Sequence, residues 1–337
     1  MNTNIPPQFA LSSTKPLEAQ VEHLSMDESA LYRRDISDYF RGQVLRYRIE
    51  QAIKSNDAEQ IVTGVDIIDL KTDRTLVTHN QDTEHFAASI NKLPVSLLVL
   101  KDLRAGTLDL DQVMTWQPSD VRAGSGVYDQ PGAPLQATLR EVIFDLLNRS
   151  GNTAVRILVN GALGGAAAIN ARWAEIPQLS HTYLQPVDSN RFFLGNSTPH
   201  DSLWAMQKLM ARQDRYARFM KDALATNIFT DISVRSQLAG NDYIVLVNKV
   251  GLLDDVDGND RHDVGIIYNT RSHKSYGYSL MTTSPFDSPT ATPQAEQSLK
   301  DIGRYTLQFA GDRPSPSMAP YAQTRAQQPV ETGKVLY

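Results

Sequence analysis

Ser89 and Lys92 are separated by three positions in HFAASINKLPVSLLVL, where a helical run begins. At i and i+3 on a helix the two side chains share a face, so the lysine amine can reach the serine hydroxyl. The positive end of the helix dipole helps a lysine lose its proton and favours a developing oxyanion. A neutral lysine can then act as base toward serine and turn a weak nucleophile into an active one. The spacing by itself is common, since Ser12-Ser13-Thr14-Lys15 repeats it near the start of the chain. His85 lies four residues before Ser89, but the sequence offers no partner acid for a Ser–His triad.

Two further groups give the pair a context. Ser150-Gly151-Asn152 sits between two helical patterns in LLNRSGNTAVRIL, and Lys249-Val250-Gly251 ends the strand-like YIVLVNK. In this order the three groups match the S-x-x-K, S-D-N and K-T-G set of penicillin-recognising serine enzymes. Over about residues 30–310 the chain resembles class A β-lactamases and the related serine D,D-peptidases. FAASINKLPV resembles the segment that carries the nucleophile, and RAGSGVYDQPGAPLQATLREVIFDLLNRSGNTA the loop and helix that lead to the second motif. NSTPHDSLWAMQKL resembles the segment that leaves the active-site loop.

The resemblance implies a role for each matching residue. Ser89 would be the acylated nucleophile and Lys92 its proton relay. Ser150 would carry the proton to the leaving nitrogen, and Asn152 would hydrogen-bond the substrate's side-chain amide. Lys249 would hold Ser150 and supply positive potential for the substrate carboxylate. The backbone N–H of Ser89 and one near Leu253, two residues after Gly251, would form the oxyanion hole, a type of interaction that is often the largest catalytic term. Tyr128, in GSGVYD, would be either an aromatic wall beside the substrate or a packing residue.

The departures carry information. Gly151 stands where the family usually has Asp, and Val250 where Thr or Ser is usual. Val250 offers no hydroxyl to a substrate carboxylate, which weakens that anchor or shifts it to an arginine such as Arg235 or Arg271. The loop TYLQPVDSNRFFLGNSTP lacks the Glu with which these lactamases activate the deacylating water. Alignment from Thr182-Tyr183-Leu184 puts Asp188 at the acidic position. Asp188 either positions that water, at one methylene less reach, or stabilises the loop by pairing with Arg191 or capping a turn.

The elements that must hold these residues follow from periodicity. Apolar positions at helical spacing predict a helix, or two short ones, over 28–56. VTGVDIIDLKTDRTLVTHN predicts a hairpin with strands at 61–70 and 74–79. Helical patterns follow at 89–104, 138–149, 152–160, 164–174, 199–213 and 215–228. YIVLVNKVG, DVGIIYNT and SYGYSLMTT then predict a meander, and a helix closes at 291–310. The economical architecture is an α/β fold. One antiparallel sheet is assembled from the N-terminal hairpin and the C-terminal meander and flanked by the terminal helices, with an all-helical subdomain inserted between the strands. The expected organisation is a flexible lead over 1–27, a catalytic domain over 28–310 and a disordered tail over 311–337. Within the domain, 28–80 and 240–310 form the sheet part and 81–239 the helical part.

Composition narrows the classes. The chain has 337 residues, 41% hydrophobic and 21% charged, as in globular proteins. A net charge of −5, with no Lys/Arg blocks, argues against nucleic acid or an anionic membrane as partner. The absence of cysteine excludes disulfides, Cys-based metal sites and thiol catalysis, and leaves serine as nucleophile. No signal peptide is visible, and no apolar run approaches the roughly 18–20 residues of a membrane span; the resemblance nevertheless implies export. DDVDGND at 254–260 lacks the acidic ends of a calcium loop and reads as a hairpin turn. The histidines have no metal-ligand spacing, so no metal or cofactor is expected.

The leading expectation is a monomeric serine hydrolase that opens β-lactam amides through an acyl-enzyme on Ser89. A D,D-peptidase-like enzyme acting on D-Ala-D-Ala-type peptides, with slow deacylation, is the second, favoured by the missing Glu. A non-catalytic module that binds peptidoglycan or another ligand is the third.

Overall fold

The computed structural model describes residues 26–188, 191–232, 234–238, 242–255 and 258–311. The expected lead and tail fall almost wholly outside them. Contacts divide the chain into Met1–Val44 and Leu45–Tyr337. In the first part the described residues are helical, and the Tyr39 and Phe40 rings meet edge to face at 5.8 Å. That helix, α1, spans Met26–Ala58, so the region expected as one or two helices forms one.

In the second part, α1 contributes Leu45, Ile49 and Ile53 to a core. They recur every four residues, which aligns them in one apolar stripe. The hairpin follows, with β1 at Val62–Asp69 and β2 at Arg74–His79. Its turn is set by Asp69, whose carboxylate accepts from the N–H groups of Lys71 and Thr72 at 2.9 and 3.3 Å, while Asp73 takes a left-handed φ of 55°.

The helical stretch follows: α2 at Lys92–Ala105, α3 at Leu139–Asn148, α4 at Asn152–Arg156, α5 at Ala166–Ala174, α6 at Pro199–Ala211 and α7 at Arg215–Ala225. The helix expected from residue 89 opens instead as a 3-10 turn, Ala88–Asn91, before α2. The helix expected over 152–160 widens into a π-helix at Ile157–Ala162, closed by an i→i+5 bond from Leu163 N–H to Leu158 O of 3.0 Å. Gly164 and Gly165 then take φ of 82° and 91°, which starts α5 later than the periodicity suggests.

Strands β3 (Ile244–Asp255), β4 (Gly258–Asn269) and β5 (Lys274–Ser284) return, and α8 closes at Ala291–Ala310. The sheet is antiparallel throughout, in the order β2-β1-β5-β4-β3. It is the α/β arrangement expected from the sequence. β3 and β4 outrun their apolar runs because their polar ends pair: Arg261 holds Asp254 at 2.8 Å and Glu296 at 2.9 Å.

The sheet has two buried faces. One packs Tyr276, Tyr278 and Leu280 with α1 and with Leu299 and Ile302 of α8. The other contributes Val264 and Ile266 to the helical core, with Leu93, Ile143, Leu158, Trp173 and Met206. Three two-stranded ribbons have no sequence signature, being too short for periodicity: His85–Phe86 with Asn196–Ser197, Val113–Thr115 with Gln136–Thr138, and Gln185–Pro186 with Phe192–Phe193. Among the described residues no single helix is long and apolar enough to cross a membrane.

Candidate active site

The 3-10 turn, the α3–α4 junction and β3 bring the three sequence motifs together. Ser89 lies in the turn just after Ala88, which holds a left-handed φ of 45°. Ser150 lies between α3 and α4 with φ 58°. Non-glycine residues in this region cost on the order of 1–3 kcal/mol each, and such strain clusters at functional sites. Gly251 lets β3 lie against the turn: a Cβ there would stand 3.0 Å from Ile90 Cγ1 and 3.1 Å from Ala87 O.

Ser150 is the meeting point. Its hydroxyl lies 3.2 Å from Lys92 Nζ and 2.8 Å from Lys249 Nζ. The Lys92 amine also donates to Ser150 O at 2.5 Å and to Asn152 Oδ1 at 2.9 Å, and that of Lys249 to Val250 O at 2.7 Å. Both lysines are buried. Burial pushes the Lys92 amine down to about 7, against a smaller upward pull from the Asp129 and Asp145 carboxylates. Lys249 is lowered strongly, first by burial and then by Lys92. A neutral Lys92 has two N–H donors, enough for Ser150 O and Asn152 Oδ1, and keeps one lone pair that can accept a proton from a hydroxyl. The Ser89 hydroxyl, partly exposed, has no hydrogen-bond partner among the described residues.

The remaining expected residues fall elsewhere. Asn152 is engaged at both ends, because its Nδ2 donates to Ala123 O at 2.8 Å. Tyr128 is only 6% exposed and packs edge to face on Trp116 at 5.1 Å; burial raises its phenol to about 12. Arg235 donates to Asn248 Oδ1 and to the carbonyls of Leu224, Ala225 and Leu246, so it braces β3 and is not a free cation for a carboxylate. Arg271 stacks on Tyr243 with its guanidinium 4.2 Å from the ring centre.

The expected donor near Leu253 shifts by one residue. At the free edge of β3 the Leu246 carbonyl accepts from Arg235 and the Asn248 carbonyl from Asn227. The Leu253 carbonyl instead accepts from Arg261 on the β4 side. Alternation along an unbroken register then turns the Leu253 N–H toward β4 and leaves that of Leu252 at the free edge.

Asp188 closes the turn of the Gln185–Pro186 ribbon. It accepts from Arg191 N at 2.7 Å and pairs with Arg191 Nε at 2.5 Å, with 42% of its side chain exposed. The carboxylates that Lys92 feels are Asp129 and Asp145. His85 is buried, its Nδ1 is 2.9 Å from Thr283 Oγ1, and burial pushes it down to about 3. Its ring therefore stays neutral, hydrogen-bonded on the sheet side.

Several residues that hold the site were not legible as such. Asn91, inside the first motif, points its amide at the carbonyls of Tyr183, Leu194 and Asn196 (3.3, 2.5 and 3.0 Å), tying the following loop to the turn that carries Ser89. His262 Nδ1 accepts from Thr282 N, which places the ring proton on Nε2, 2.8 Å from Phe86 O. This joins β4 to the segment that leads into Ser89. Asp129 accepts from the N–H groups of Gly126, Asn152 and Thr153, and Asp145 from that of Val127. Apart from the bond between Gly126 and Asp129, these join segments distant in sequence through residues of ordinary type, and no local pattern marks them as parts of the site.

Solved structures with this fold include a β-lactamase from Sphaerobacter thermophilus, 23% identical with a TM-score of 0.66, covering 80% of this chain and 98% of that one. A β-lactamase from Chitinophaga pinensis is 17% identical with a TM-score of 0.68, covering 78% and 99%. A variant of PBP-A, solved as an acyl-enzyme complex with penicillin G, is 18% identical with a TM-score of 0.66, covering 79% and 97%. A search of curated protein sequences gives no match. Residues 45–310 match the beta-lactamase enzyme family, which takes in the strands and helices that carry all three motifs, and the chain belongs to that family.

Proposed function

We propose that the protein is a serine hydrolase that opens β-lactam amides by acylation at Ser89. The observation that carries this reading is the meeting of Lys92 and Lys249 on the Ser150 hydroxyl, with Lys92 held near neutrality by burial. Lys92 takes the Ser89 proton as Oγ attacks the lactam carbonyl. Ser150, in contact with the Lys92 amine and held by Lys249, returns a proton to the departing lactam nitrogen. The N–H groups of Ser89 and Leu252 receive the oxyanion. Substrates of this chemistry, β-lactams or the D-Ala-D-Ala-type peptides they resemble, place the work outside the cytoplasm.

Incubation with a fluorescent penicillin, followed by intact mass, tests this. The wild-type chain gains the mass of the opened lactam and Ser89→Ala gains none. A wild-type chain that neither keeps the adduct nor turns over a chromogenic cephalosporin would sink the proposal.

A second reading, a penicillin-binding peptidase whose acyl-enzyme is long-lived, is favoured by the tie between Asp188 and Arg191. A carboxylate held in a ribbon turn is poorly placed to activate water. Asp188→Asn is expected to leave the acyl-enzyme lifetime within about twofold of wild type, against the loss of 10²–10⁴ that removal of a general base brings. A lifetime prolonged beyond tenfold would restore the water-activating role.

A further inference from the structure

Gly151 occupies the motif position where an aspartate is usual, and its backbone does not call for glycine: φ is −54° and ψ 127°, open to any L-residue. Space is the reason. A Cβ at 151 would overlap Asp145 Oδ2 and lie 3.0 Å from Asp145 Cγ. The Asp145 backbone holds the same residue, since Gly151 N–H donates to Asp145 O at 3.0 Å. Asp145 Oδ1 accepts from Val127 N at 2.8 Å, which pins the incoming loop to the end of α3. Beside it, Asp129 accepts from Asn152 N at 3.0 Å and Thr153 N at 2.7 Å, the first amides of α4. Gly126 is fitted to the same two carboxylates: a Cβ there would lie 2.7 Å from Gly151 Cα and 2.9 Å from Asp129 Oδ2.

We propose that Asp145 and Gly151 are a matched pair: Asp145 supplies from the last turn of α3 the carboxylate that fills the space beside residue 151, and it acts as a positioning residue for Ser150 and Asn152. The pair explains why the motif tolerates glycine here, because an aspartate at 151 would force two carboxylates into one space. The same carboxylate is one of two negative charges facing the Lys92 amine. The charged groups around this cluster are Asp129, Asp145, Arg149, Lys92 and Lys249. Removing the Asp145 charge therefore makes protonation of Lys92 harder, so the titration of Lys92 moves to lower pH.

The inference rests on the proposed acylation of Ser89 for its kinetic arm, and two other measurements stand without it. Thermal unfolding and penicillin acylation are compared for wild type, Gly151→Asp, Asp145→Ala and Asp145→Ala/Gly151→Asp. Each single variant unfolds at lower temperature and acylates at least tenfold more slowly. The double variant recovers at least half of the thermal loss of Gly151→Asp, because the carboxylate is present once again. Asp145→Asn keeps the shape and the Val127 contact but lacks the charge. The midpoint of Lys92, read from its carbon-13 Cε resonance, moves below the wild-type value, and the acid limb of acylation moves with it. Additive losses in the double variant, or an unmoved Lys92 midpoint in Asp145→Asn, overturn the pairing. A wild-type chain that is never acylated removes the proposed function and leaves the unfolding and titration arms to decide this inference.

Discussion

Lys92 makes this cluster sensitive to pH. In the unfolded chain its amine titrates at the ordinary lysine value near 10.5, and burial in the folded chain lowers it to about 7. The protonated form cannot take the Ser89 proton, so acylation falls as pH drops through about 7 and levels off above it. Below the midpoint the slope is about tenfold per pH unit, as for any single required base. Stopped-flow acylation from pH 5 to 9 checks the profile; a flat profile would show that Lys92 is not the base. The lowered value has one dominant cause, desolvation, which the two nearby carboxylates reduce without cancelling.

At the scale of elements, the tether between turn and loop matters most. Asn91 is buried, and its amide meets three carbonyls of the 183–196 segment. Asn91→Ala leaves those carbonyls to find water, at a cost of about 1–3 kcal/mol. Amide hydrogen exchange across 183–196 is expected to quicken at least tenfold while α3 is unchanged. The control is Thr138→Ala, which removes the cap of α3, where Glu141 N–H donates to the Thr138 hydroxyl and Thr138 N–H to the Glu141 carboxylate at 2.8 Å. It costs about 1 kcal/mol at α3 and leaves the loop's exchange as it was. Equal protection of the loop in Asn91→Ala and wild type would show that the tether is dispensable.

At the scale of the chain from Leu45 onward, the sheet separates two cores. Ile302 of α8 is fully buried on the face away from the helical segment. Ile302→Ala is expected to lower the free energy of unfolding by about 2–5 kcal/mol, measured in urea. Because its contacts lie across the sheet from the motifs, the acylation rate per folded molecule should stay within about twofold. A large fall in that rate would mean that the sheet transmits packing changes to β3.

The sequence by itself determined the nucleophile candidates, the order of the motifs and the alternation of strands and helices. These are local: a spacing of three on a helix, and the β-branched runs of β1, of the start of β3 and of the second half of β4. It did not determine which carboxylates stand near Lys92. Asp145 and Asp129 carry no signature, and they reach the site because α3 ends and the loop before it folds back, contacts that span many residues. Nor did it decide that Asp188 ties a ribbon turn, that Arg235 braces β3, or that Leu252 faces the free edge where Leu253 was expected. Those outcomes depend on register and burial, which exist only once distant segments pair. A one-residue change of parity exchanges the two sides of a strand. Burial then decides whether a lysine, histidine or arginine acts as a base, a neutral ring or a brace.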